Sequence, residues 1–118
     1  MEPAQLIKIF RQYKFNFFNE KDLQRGIDSV LNENKVVHDR EYSLSDKDEI
    51  DFLIEGGIGV EVKIKGTLSA LTRQLHRYAQ NEKIKSLILI TDKNRLSNLP
   101  DQMNGKELRI VNIGGFAL

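Results

Sequence analysis

From Ile50 to Ile64 the chain alternates apolar and polar residues on either side of Gly56-Gly57, and no other stretch limits the possible folds as much. Alternation of period two predicts strands with one buried face, and a glycine pair between two such runs predicts an antiparallel hairpin. Directly opposed residues of a hairpin share a face, so the register follows from the side chains. A two-residue turn at Gly56-Gly57 would set Phe52 against Glu61 and Ile50 against Lys63, burying charge among apolar groups. A three-residue loop, Glu55-Gly56-Gly57 with Gly57 left-handed, pairs Ile54 with Ile58, Phe52 with Val60 and Ile50 with Val62. One face is then wholly apolar. On the other, Asp51 stands opposite Glu61, with β-carbons about 4.5 to 5.5 Å apart, and Lys63 lies one step along.

Two carboxylates held that close repel each other, and a divalent cation between them removes the repulsion. Magnesium takes oxygen ligands and commonly only one or two carboxylates, leaving positions for water and phosphate. Lys63 beside such an ion could orient or deprotonate an attacking water, or offset charge on a phosphate. The alternative is a solvated face on which Asp51, Glu61 and Lys63 form a cross-strand ion pair.

The rest of the chain frames the hairpin. Pro3 suits the first turn of a helix to about Gln12, with Leu6, Ile7 and Phe10 on one face. Asn19 is a good N-cap for a second helix to about Asn34, in which Leu23, Ile27, Val30 and Leu31 recur at helical spacing. Between the two, Phe15, Phe17 and Phe18 form an aromatic knot, read as packing under the sheet or as a subunit interface. Lys35 to His38 and Arg40 to Leu44 suggest one or two edge strand segments. Thr67 or Ser69 caps a third helix to about Glu82, with an apolar stripe of Leu68, Leu71, Leu75, Tyr78 and Ala79. Ser86 to Thr91 is apolar enough for a strand covered on both faces, and Leu108 to Ile113 predicts a last strand. His38 and His76 are expected to be ordinary strand or surface residues.

With 118 residues and no linker or repeat, residues 1–118 are read as one domain. There is no cysteine, which removes disulfides, thiolate zinc sites and cysteine nucleophiles together. No apolar run approaches bilayer length and the start lacks a secretory pattern, so no membrane role and a cytoplasmic location are expected. A net charge of +1 gives no overall field for a polyanion, and any nucleic-acid contact must be local.

Ile50-Asp51-Phe52-Leu53-Ile54 followed by Val60-Glu61-Val62-Lys63 resembles the signature of the PD-(D/E)xK nuclease superfamily. The likeness spans roughly Glu20 to Thr91 and lacks the proline of the family name, Ile50 standing before Asp51. It implies an α/β restriction-endonuclease-like core of order αβββαβ, a mixed sheet of four to five strands flanked by helices. It also implies that Asp51 and Glu61 bind Mg2+ or Mn2+, that Lys63 is catalytic, and that Glu20 is a further metal-site carboxylate from the first core helix. Gln74-Leu75-His76-Arg77-Tyr78 resembles the helix motif of RecB-type and small virus-type replication-repair nucleases of this superfamily. By that likeness Gln74 belongs to the catalytic set, and Gln74 and Tyr78 would orient Lys63 or touch a phosphate.

Lys65, Arg73 and Arg77 cluster around the same motif and, with Tyr78, are the expected DNA-binding residues. The resulting expectation is a metal-dependent nuclease cutting DNA with structure or end selectivity, since no residues are left for a sequence-reading domain. Phage or mobile-element replication, repair or recombination suits so small a unit, and a homodimer could engage two strands. The alternative is a non-catalytic nucleic-acid-binding or assembly module that keeps the nuclease fold.

Overall fold

The computed structural model describes residues 1–114. Helices α1 (Pro3–Phe10) and α2 (Glu20–Glu33) lead into strands β1 (His38–Ser43), β2 (Glu49–Ile54) and β3 (Ile58–Val62). Helix α3 (Leu68–Ala79), β4 (Ser86–Thr91), a 3-10 turn at Asn94–Leu96, β5 (Gln102–Met103) and β6 (Lys106–Asn112) follow. The described residues make an α/β sandwich around one six-stranded mixed sheet of order β1-β2-β3-β4-β6-β5. Six strands exceed the expected four to five. The pair β5 was missed because it is two residues long and carries no alternation of its own.

Local signals explain where the helices begin. Pro3 opens α1 behind a reciprocal Glu2–Gln5 capping box, and Asn19 accepts the Asp22 amide at 2.8 Å to start α2. Thr67, rather than Ser69, caps α3 by accepting from the Ala70 amide. Both α1 and α3 stop two or three residues before the sequence estimate, at Phe10 and Ala79. Antiparallel pairing joins β1 to β2 and β2 to β3, whereas β3, β4 and β6 run parallel, with α3 crossing from β3 to β4. Every residue of β3 and β4 is buried, as a central parallel strand requires.

The sheet separates two apolar cores. On one side α1 and α2 bring Leu6, Phe10, Leu23, Ile27 and Leu31 onto Phe52, Ile54, Val60 and Val62. On the other, α3 brings Leu71, Leu75 and Tyr78 onto Leu87, Leu89 and Leu108. Phe15 and Phe17 pack against the first core, as expected of the aromatic knot, but Phe18 is 98% exposed and belongs to neither. His38 sits on β1 with Nε2 2.7 Å from an Asp28 oxygen, tying the edge strand to α2.

Candidate functional site

The hairpin forms with the three-residue loop and the register argued above: Ile54 faces Ile58, Leu53 faces Gly59 and Phe52 faces Val60. Gly56 and Gly57 both adopt positive φ, 94° and 85°, which glycine reaches without a β-carbon penalty. The next rung would join Asp51 to Glu61, and there the ladder opens. The Asp51 amide donates instead to Glu61 Oε1 at 3.2 Å, and the Val62 amide donates to Asp51 Oδ2 at 2.8 Å. One step further the Ile64 amide donates to Oε1 of Glu20, in the first turn of α2, at 3.0 Å. Three backbone donors left without a strand partner are thus each satisfied by a carboxylate, as buried amides require. On its other edge β3 continues undisturbed, with the Lys63 amide donating to the Ile90 carbonyl at 3.0 Å.

This opening corrects one expectation. Ile50 does not pair with Val62 on the apolar face; it lies in the opposite core, with the α3 residues. Strict alternation holds only along an unbroken ladder, and the splay at Asp51 turns the preceding residue over. Ile50 then covers Gly59: a β-carbon at Gly59 would lie 2.6 Å from Ile50 Cδ1 and 2.9 Å from Ile84 Cδ1. Only glycine leaves that room.

Burial and mutual repulsion raise the affinity of the two acids for protons. Glu61 is 4% exposed, and its carboxyl is pushed well above the usual range, first by burial and next by the charge of Asp51. Asp51 is raised to about 6, chiefly by burial, with Glu20 adding repulsion while the Val62 amide and the Lys63 ammonium pull the other way. Lys63 is half-buried beside them. Lys21, Lys63 and Lys65 form no ion pair among the described residues.

Helix α3 contributes the far wall. Gln74 is half-buried and lines a cleft of about 300 Å³ together with Lys63, Lys65, Arg73 and Arg77. Arg77 is partly engaged, its Nε 3.1 Å from Asp48, and Arg73 donates to Ser69. Tyr78 overturns its expected role in touching nucleic acid directly, because at 1% exposure it has no free surface. It projects into the α3 core, where its hydroxyl donates to the Glu49 carbonyl at 2.8 Å and stands 3.5 Å from Glu61 Oε2. A second cleft of about 430 Å³, lined by Asn19, Glu20, Lys21, Lys63, Lys65 and Gly66, opens on the α2 side of the same lysines. Sequence reasoning missed Lys21. Only the docking of α2 against the end of β3 brings it there, and no spacing within the chain announces that contact.

The acids meet the requirements of a small hard cation in part. Glu20, Asp51 and Glu61 converge through the three amide bonds, yet the described residues contain no group of three or more His, Asp or Glu side chains set to hold one ion. One oxygen of each carboxylate is occupied by a backbone donor. Asp51 Oδ1 and Glu61 Oε2 are left without a backbone donor, and two carboxylates are as many as magnesium commonly takes, the rest of its shell being water or phosphate oxygens. No protein-family model matches this chain, and no curated protein or solved structure matches it.

Proposed function

We propose that this protein is a metal-dependent nuclease with a restriction-endonuclease-like core, hydrolysing DNA phosphodiester bonds. The carrying observation is the opened rung: Asp51 and Glu61 each accept an amide of the other's strand and have raised proton affinity, and the neighbouring Lys63, whose ammonium is free, lines one cleft with Lys21 and Lys65 and another with Lys65, Arg73 and Arg77. A protein with no use for these acids would close the ladder with apolar side chains, as the other half of the same hairpin does.

Asp51 and Glu61 would hold Mg2+ or Mn2+, which when bound supplies Lewis acidity at the scissile phosphate and lowers the pKa of a water. The other steps belong to the chain. Lys63 Nζ would donate to a phosphate oxygen or orient the attacking water. Glu20 holds the Ile64 amide and so fixes the strand end that carries Lys63. The Tyr78 hydroxyl, bonded to the Glu49 carbonyl, keeps the start of β2 beside Glu61 and is a positioning group. Gln74 faces the α3 cleft, where Lys65, Arg73 and Arg77 would grip the backbone. The reading includes structure or end selectivity, and replication, repair or recombination in a phage or mobile element is the setting proposed.

Cleavage assays on linear, circular and branched DNA and on RNA test the reading, with magnesium, with manganese and with chelator. DNA cleavage that chelator abolishes is the expected result. Binding of DNA with no cleavage under any metal would favour the second reading, a nucleic-acid-binding or assembly module on the nuclease fold.

A further inference from the structure

Among the large hydrophobic side chains of the described residues, Phe18 is the one left almost wholly in water, at 98% exposure against 66% for Val37 and 43% for Met1. Its neighbours Phe15 and Phe17 pack partly buried against the α1–α2 core, whereas Phe18 does not. The backbone that presents Phe18 is held. Its amide donates to Asp22 Oδ2 at 3.2 Å, and the next residue, Asn19, is the N-cap of α2. The ring therefore projects from a fixed point just ahead of the helix that carries Glu20.

The surroundings restrict what the ring can meet. Asn19, Glu20 and Lys21 form one wall of the α2-side cleft, and Lys63 and Lys65 form the other. Lys63 and Lys65 also line the α3-side cleft with Arg73 and Arg77, so the two clefts share these lysines, and Phe18 directly precedes Asn19, the first residue of the α2-side wall. An exposed aromatic ring next in the chain to a lysine-lined cleft is the pairing that binds single-stranded nucleic acid: phosphates follow the cations and a base stacks on the ring. A closed duplex offers no such base, because its bases are already stacked and paired.

We infer that Phe18 is a stacking platform for an unpaired base, so that the substrate of this site is single-stranded DNA or a frayed DNA end. The inference rests on the nuclease reading for the position of the scissile phosphate, over Asp51 and Glu61. A base stacked on Phe18 then belongs to the nucleotides flanking that phosphate, since Phe18 and Glu20 lie at most about 7.6 Å apart along the chain.

The test is anisotropy of fluorescent oligothymidylate and of covalently closed duplex DNA, with chelator present, on the full chain and on Phe18→Ala, Phe18→Leu and Phe18→Trp. The full chain should prefer oligothymidylate. Phe18→Ala should weaken oligothymidylate binding about 5- to 150-fold, the range of one lost stacking contact, while duplex binding and Tm stay unchanged. Phe18→Leu should not restore binding. Phe18→Trp should, and because the chain has no other tryptophan its fluorescence should be quenched by the bound strand. Equal oligothymidylate affinity in Phe18→Ala and the full chain, or full rescue by leucine, overturns the stacking role. Magnesium-dependent cleavage that ignores Phe18→Ala overturns this inference alone, whereas Phe18-dependent strand binding without cleavage under any metal overturns only the nuclease reading. No binding of any nucleic acid overturns both, and leaves Phe18 to a protein partner.

Discussion

The two halves of the β2–β3 hairpin, the one near the turn and the one far from it, lie on the same two strands and are held together by different forces. Near the turn, Phe52, Ile54, Ile58 and Val60 pair through backbone bonds and are buried under α1 and α2. At the far end the backbone bonds cease, and carboxylates of Asp51, Glu61 and Glu20 cap the freed amides. The first half gains stability from every contact it makes. The second buries charge that burial itself disfavours, raising the proton affinity of Asp51 and Glu61. The difference teaches that the turn half acts as the anchor, and its register aligns the acids that the open half could not hold by itself.

The sharpest way to break the comparison is at the anchor. Phe52→Ala should cost about 3 to 5 kcal/mol, the usual range for losing a buried aromatic, because Phe52 is fully buried. Urea denaturation checks this, and a loss under 1 kcal/mol would show that the turn half does not hold the hairpin.

Asp51→Asn should do the reverse. The asparagine carbonyl can still accept from the Val62 amide, so the fold should persist, with Glu61 relieved of a neighbouring charge. On the proposed reading magnesium-dependent cleavage should fall about 100-fold or more, and magnesium should raise the Tm of the parent chain but not of the variant. Calorimetry finding unchanged metal affinity would remove Asp51 from the site.

At the boundary between the halves, Gly59→Ala should cost about 1 to 3 kcal/mol through overpacking against Ile50 and Ile84. Since Ile50 is the residue turned over by the splay, the variant should also perturb cleavage. Thermal melts showing no loss would mean that Ile50 does not occupy that space in solution.

The smallest expected effect is on the pH dependence of the metal-free protein. The proton affinity of Asp51 is raised on folding, so the native state binds more protons than the unfolded chain between the usual carboxylate range and about pH 6. Stability should therefore fall as pH rises through that window, by a few degrees in Tm, and magnesium should flatten the decline. A metal-free Tm that rises from pH 4 to pH 7 contradicts the raised proton affinity that burial gives Asp51 in the open half.

How far the chain could be read in advance follows the same division. The register, the loop and the caps at Asn19 and Thr67 were legible because each depends on a few neighbouring residues. The turn of Ile50 into the other core was not, since alternation carries no sign of where a ladder stops. Phe18 was grouped with Phe15 and Phe17 by adjacency, yet burial depends on where the loop meets the helices. Tyr78 was legible as an apolar-stripe residue, while its bond to the Glu49 carbonyl needed β2 and α3 to be docked.

By itself the sequence determined the α/β class and the hairpin that sets Asp51 against Glu61, because period-two alternation and a glycine loop admit one register that keeps charge off the apolar face. Only the tertiary structure decided that the ladder opens there, that Glu20 arrives from α2 to close it at Ile64, and that Tyr78 is buried while Phe18 is not. Those outcomes depend on contacts between residues far apart in the chain, and spacing along a sequence carries no information about which donors a packed sheet leaves unpaired.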